Sequence, residues 1–148
     1  VAESPVISAM AKVQQHSTSC ANSIAQKAAL KALTGNQESV NSMVKEYKRR
    51  RDYILERTER MGHLLCTKSQ GTFFSFHDIR DFIGKSNGNK TIHNSLDFCN
   101  FLLEEVKVVV SPGEAFGMDG FIRISYATSM NTIEKGFDRI EKALQALN

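Results

Sequence analysis

The chain has 148 residues, 41% of them hydrophobic and 24% charged, which is a globular composition with length for one domain of ordinary size. Its 19 basic and 16 acidic side chains leave a net charge of +3, too mild an excess to argue by itself for a nucleic-acid partner. No apolar run approaches the ~20 residues that span a bilayer, so no membrane role is expected. The start, VAESPVISAMAKV, lacks the basic n-region and apolar core of a signal peptide.

In chain order, residues 5–33 read as helix, interrupted around QQHSTSCANS, with Asn22 or Ser23 capping the second piece and Gly35 stopping it. From Gln37 to Met61 apolar residues recur at three- and four-residue spacings: Val40, Met43, Val44, Tyr47, Ile54, Leu55, Thr58 and Met61 predict one long amphipathic helix that Gly62 ends. HLLC and TFFSFHDI then read as short strands around a turn at KSQG, and GKSNGNK as an exposed, mobile loop. Asn94 is a candidate cap for SLDFCNFLLEEV, whose Leu96, Cys99, Leu102, Leu103 and Val106 make an apolar face. KVVVS and FIRISYA are two further strands. A last helix, capped at Ser129 or Asn131, turns Ile133, Phe137, Ile140, Leu144 and Leu147 inward. This order predicts an α+β fold: a small, mostly antiparallel sheet covered by helices on one face and preceded by a long helix. The helical first third would pack poorly alone and reads as material that leans on another domain. The opening valine points the same way, to a processed chain or a piece of a longer one.

Three cysteines, Cys20, Cys66 and Cys99, are odd in number and share no C-x-x-C spacing. That pattern argues for a reducing compartment, cytoplasmic or an organelle matrix, rather than a disulfide framework or a zinc site. The four histidines carry no metal-ligand spacing, so no metal site is expected. The run Lys48–Arg51 lies in a helical pattern, where successive side chains point about 100° apart, and Glu46, Asp52 and Glu56 neutralise it in part. A solvated, ion-paired helix surface is the reading there, and a nucleic-acid partner is not expected.

The segment SPGEAFGMDGFIRISYATS, Ser111 to Ser129, holds a glycine-rich loop running into a strand with one arginine. Alternation puts Ile122, Ile124 and Tyr126 on one face and Phe121, Arg123 and Ser125 on the other. Arg123 is therefore either a solvated strand charge or a clamp for a carboxylate or phosphate. Glycines 113, 117 and 120 would let a ligand or a second backbone approach. The spacings of a dinucleotide loop, a Walker loop, a zinc-protease helix and a nucleophile elbow do not occur.

Four segments in order carry a resemblance: QQHSTSCANSIAQKAALKAL, VKEYKRRRDYILERTERMG, QGTFFSFHDI and VVVSPGEAFGMDGFIRISYATS. Over nearly its whole length the chain resembles the C-terminal third of a class I/II aminotransferase, a pyridoxal-phosphate enzyme of fold type I close to the bacterial-type aspartate aminotransferases. The P-G-x-x-F-G element followed by R-[IL]-S-[YF]-A is its most specific part. Ser69 departs from the pattern, standing where many relatives have proline.

The resemblance implies that Arg123 grips the α-carboxylate of an amino-acid or 2-oxo-acid substrate. It implies that Pro112, Gly113, Phe116 and Gly117 form the loop beside that substrate, in a small domain that closes like a lid, and that Gly71 and Phe73 match the family's G-x-F-[FY] strand. Ser17 and Thr18 correspond to a segment near the dimer interface and the partner's active site; a polar linker between helices is the alternative. The implied domains are 1–34 on the large-domain and dimer-interface side, 35–62 as a long interdomain helix, and 63–148 as the small domain. The Schiff-base lysine of the family lies in an S-K-x-x-x-x-x-G-x-R-x-G-type context that surrounds none of the eleven lysines here. Catalytic and cofactor-binding residues are accordingly expected upstream, and the chain by itself is expected to be inactive. The whole enzyme is expected to use pyridoxal phosphate and to be a homodimer. A non-catalytic amino-acid-binding module, a pyridoxal-dependent lyase, or a regulator fused to a DNA-binding domain are the other readings.

Overall fold

The computed structural model describes residues 2–88 and 90–148; Val1, and Asn89 of the loop expected at GKSNGNK, lie outside the described residues. The chain divides into two compact units, Val1–Asn41 and Ser42–Asn148.

In the first unit, α1 (Ser4–Ser17) has proline in its opening turn, where the missing N–H is one the helix would leave unpaired. Helix α2 (Ser23–Thr34) starts at Asn22, whose side chain accepts from the Ile24 N–H at 2.8 Å. It stops at Gly35, where a Cβ would stand 2.6 Å from the Lys31 carbonyl oxygen. Neither helix buries a residue. Val13, Ile24 and Leu33 are exposed by 67%, 77% and 81%, so helical hydrogen bonds there have no packing to protect them. Amides of α1 and α2 are expected to exchange much faster than those of the central strand Phe121–Ser125. Hydrogen-exchange mass spectrometry on verified monomer checks this, and equal protection would contradict it.

Helix α3 (Glu38–Met61) begins in the first unit and continues into the second, where its Ile54 and Thr58 are buried. The second unit adds β1 (Phe74–Asp78), a hairpin of β2 (Ser86–Asn87) with β3 (Lys90–Thr91), α4 (Ser95–Val106), β4 (Ser111–Pro112), β5 (Phe121–Ser125) and α5 (Met130–Leu144). Single 3₁₀ turns occupy Arg80–Phe82 and Gly113–Phe116. The sheet has the order β1-β5-β4 and is antiparallel throughout, with Phe76 opposite Arg123 and Ser111 opposite Arg123 on the other side. This is the expected α+β architecture.

One buried cluster includes Ile122, Ile124 and Tyr126 from β5 and its continuation, Phe98 and Leu102 of α4, Ile133, Phe137 and Ile140 of α5, and Ile54 of α3. Each such side chain contributes roughly 1.5–3 kcal/mol by leaving water. Arg57 ties α3 to α5 through Asp138 at 2.6 Å and Glu141 at 2.7 Å. Among the described residues no helix is long and apolar enough to cross a membrane.

Four local expectations are corrected. HLLC does not form a strand: Leu64 drops into the core, and only Cys66 makes a bridge, to His77. KVVVS is mostly not a strand, because its first residues cap α4. Lys107 takes a left-handed conformation (φ 57°) and its N–H donates to Leu103 O, while the Val108 N–H donates to Leu102 O, both at 3.2 Å. GKSNGNK contains the β2–β3 hairpin, to which Asn148 is fastened by two backbone hydrogen bonds with Ser86. The buried face of α4 is rotated from the expected one: Leu96 and Leu103 are exposed, whereas Phe98 and Phe101 turn inward. Aromatic packing explains the rotation, since Phe98 lies 5.5 Å from Phe82 and 6.3 Å from Phe101, centroid to centroid.

Candidate functional site

Strand β5 alternates half-buried and buried from Phe121 to Ile124, so its two faces have opposite tasks. Ile122 and Ile124 enter the core. Arg123 stands on the outer face between its cross-strand neighbours Phe76 and Ser111, with Phe74 one diagonal step along β1. Its guanidinium carbon lies over the Phe74 ring at 4.3 Å and over the Phe116 ring at 4.1 Å from the centroids. Farther along this face Phe76 stacks on Phe121, 5.4 Å apart at 7°.

Charge on this face is otherwise neutralised. Asp78 is held by Arg80, whose Nη2 donates at 2.6 Å, and that hydrogen bond keeps the Asp78 carboxyl below its ordinary range. Arg123, in contrast, has no carboxylate within ion-pair distance among the described residues. A permanently charged, planar group with free N–H donors is what a carboxylate or phosphate needs as a fork-shaped partner.

The loop that carries Phe116 is fixed from below. Pro112 pairs with Ile122 in β4. Gly113 is buried, and a Cβ there would meet Met118 O at 2.2 Å and Phe121 O at 2.6 Å, so only glycine fits that backbone crossing. Gly117 adopts φ 77°, closing the turn. Asp119 accepts from the Ser95 N–H and the Gly120 N–H, each at 2.8 Å, while the Glu114 N–H reaches Ser95 Oγ at 3.3 Å. The Ser95 backbone N–H, then its hydroxyl and the Gly120 N–H, hold the Asp119 carboxyl below its ordinary range. The start of α4 thus anchors both ends of the loop.

Of the residues singled out by sequence, Arg123, Pro112, Gly113, Phe116 and Gly117 come together here. Ser17 ends α1 and Thr18 follows it as the cap, both exposed in the first unit. Phe74 is the last position of the G-x-F-[FY] strand, but the sequence gives it no role beside Arg123; the strand register brings the two together. Three of the four cations in Lys48–Arg51 are paired: Arg49 and Arg50 with Glu46, and Arg51 with Asp52. No three His, Cys, Asp or Glu side chains cluster as metal ligands among the described residues. Every lysine except the half-buried Lys85 is exposed, and Lys85 lies over the Phe82 ring at 5.3 Å.

Beneath the sheet, His77 is fully buried, its Nε2 2.7 Å from Ser75 Oγ and its Nδ1 without a hydrogen-bond partner. Burial pushes its pKa down to about 4, offset in part by the Leu64 backbone. The unfolded chain would take up this proton near 6.5 and the folded chain near 4, so stability falls as pH drops through that interval. The full loss is roughly 3 kcal/mol at 1.36 kcal/mol per pKa unit. Urea midpoints at pH 7 and pH 4.5 should show the decline, and His77→Gln should flatten it.

The class I and II aminotransferase model matches residues 1–140. An aspartate/prephenate aminotransferase of Nitrosomonas europaea is 38% identical over 141 residues, covering 94% of this chain and 36% of that protein. The crystal structure of the Rhizobium meliloti aspartate aminotransferase superposes with a TM-score of 0.89 at 38% identity, over 97% of this chain and 36% of that one. An aspartate aminotransferase from Thermotoga maritima gives a TM-score of 0.81 at 36% identity, over 98% and 34%. The chain therefore spans about a third of the length of the relatives it matches.

Proposed function

Because the chain belongs to the class I and II aminotransferases, we propose that it is the substrate-gripping portion of an enzyme that moves an amino group between an amino acid and a 2-oxo acid. Arg123 is the group that takes the α-carboxylate. The observation that carries this reading is a lone guanidinium, flanked by two aromatic rings and free of any carboxylate among the described residues, beside a glycine loop. Two parallel N–H···O bonds from such a fork fix both the distance and the plane of a carboxylate, and so orient the bond at Cα that must break.

In this reading residues 63–148 form the small domain, 35–62 the interdomain helix, and 1–34 the segment on the large-domain side. Ser17 and Thr18 lie near the partner subunit of a homodimer. The exposed Val13, Ile24 and Leu33 support covering of the first segment by the rest of the assembly. The small domain, carrying the loop Gly113–Gly117 beside the substrate, closes over it as a lid.

Pyridoxal phosphate is the electron sink of this chemistry when bound. The residues present do not form a site for it, since none of the eleven lysines lies in the family's Schiff-base context and all but Lys85 are exposed. Its binding belongs to the remaining two thirds of the protein, and no step through it is assigned to this chain.

Two assays test the proposal. The full-length protein, supplied with pyridoxal phosphate, should convert amino acids with a 2-oxo acid far better than the corresponding amines without the carboxylate. The 148-residue chain alone, treated with pyridoxal phosphate and borohydride, should show sparse modification spread over several lysines. Equal use of amines, or one lysine modified to completion, would overturn the reading.

A further inference from the structure

Resting on the assignment of Arg123 to the substrate carboxylate, we propose that Phe74 and Phe116 are positioning residues that hold the Arg123 guanidinium ready for that carboxylate.

The contrast among arginines carries the inference. Arg49, Arg50, Arg51, Arg57, Arg60 and Arg80 each bind a carboxylate, and the exposed Arg139 has neither a carboxylate nor a ring partner among the described residues. A carboxylate partner fixes an arginine but uses its N–H donors and cancels its charge. Arg123 is fixed by rings instead, at 4.3 Å and 4.1 Å, both well inside the ~6 Å range of cation–π attraction. A phenyl ring restrains the cation without taking a donor, so all five N–H groups stay available for a ligand. An unrestrained arginine carries rotamer entropy that binding would otherwise have to remove.

The two rings are held by different means. Phe74 opens β1 and is fixed by the ladder to Ser125. Phe116 ends the 3₁₀ turn that Gly113 and the Ser95–Asp119 hydrogen bonds tie down, and the residue is 47% exposed. Arg123 is thus set between a sheet ring and a loop ring, and the side not covered by rings is the one a carboxylate can reach.

The test uses the full-length enzyme. Phe116→Leu and Phe74→Leu keep bulk and remove the π face; Phe116→Tyr keeps the face. The leucine variants should raise KM for α-amino acids roughly 3- to 30-fold, the span of a cation–π contact from exposed to desolvated. They should change kcat less and leave amines lacking the carboxylate untouched, and Phe116→Tyr should stay near wild type. Unchanged KM, or equal losses for amines, would overturn the proposal. Arg123→Lys run in parallel separates the two levels. If it abolishes the preference for amino acids over amines while the leucine variants do not alter it, the positioning role fails alone. If it leaves the preference intact, the carboxylate assignment fails and the positioning role with it. A second readout needs no turnover. The Arg123 Nε–Hε proton should resonate upfield from ring currents and return toward its ordinary position in Phe116→Leu; an ordinary position in wild type would overturn the proposal.

Discussion

Replacing Gly113 by alanine is expected to destabilise the second unit by about 3 kcal/mol or more, at the upper end of overpacking costs. The added Cβ would sit 2.2 Å from Met118 O, 2.6 Å from Phe121 O and 2.9 Å from Phe121 C. All three are backbone atoms, so no side chain can swing away. Relief requires moving the loop off β5, which breaks the pairing of Pro112 with Ile122 and withdraws Phe116 from Arg123. The midpoint of thermal unfolding should fall by roughly 10 °C or more. Gly136 provides the opposite case. It lies within α5, its Cβ would meet nothing within 4 Å, and its φ is not positive. Gly136→Ala should therefore stabilise by up to about 1 kcal/mol through helix propensity. A paired denaturant titration reads both signs, and a neutral Gly113→Ala would show that the crossing at Gly113 is looser than described.

Arg123→Lys in the full-length enzyme is expected to lower kcat/KM for every α-amino acid by about 2–4 kcal/mol of transition-state stabilisation. That is the scale of truncating one partner in a buried, hydrogen-bonded charge pair. The charge is kept, but the planar fork is lost, and a compact ammonium cannot bind both carboxylate oxygens in one plane. Lysine also sits less well between two rings than a delocalised guanidinium. The loss should shrink for amines without the carboxylate. Steady-state kinetics on paired amino-acid and amine substrates measure it, and unchanged kcat/KM for amino acids would remove Arg123 from the site.

Much of this molecule is decided by short-range pattern. The caps at Asn22, Asn94 and Ser129 form as their residue types dictate, each accepting a backbone N–H in the first turn of its helix. The period-two alternation of FIRIS places Arg123 opposite the buried isoleucines, because successive strand residues must face opposite ways. The P-G-x-x-F-G and R-I-S-Y-A elements are the most specific part of the sequence's resemblance to a family whose model matches residues 1–140.

Other features depend on partners distant in the chain. Helix α4 has two plausible apolar faces, and only packing of Phe98 against Phe82 selects the one that is buried. The valines of KVVVS have every local preference for a strand, yet Lys107 and Val108 are taken by the end of α4. Gly113 is indispensable because two carbonyls, five and eight residues away, occupy the space of its missing side chain. Phe74 meets Arg123 only because β1 pairs with β5 in one register; a shift of one residue would send the ring to the core. Periodicity and caps are properties of consecutive residues, so a sequence displays them. Register and close backbone approach are settled by the free energy of the assembled layers, and only the tertiary structure reveals them.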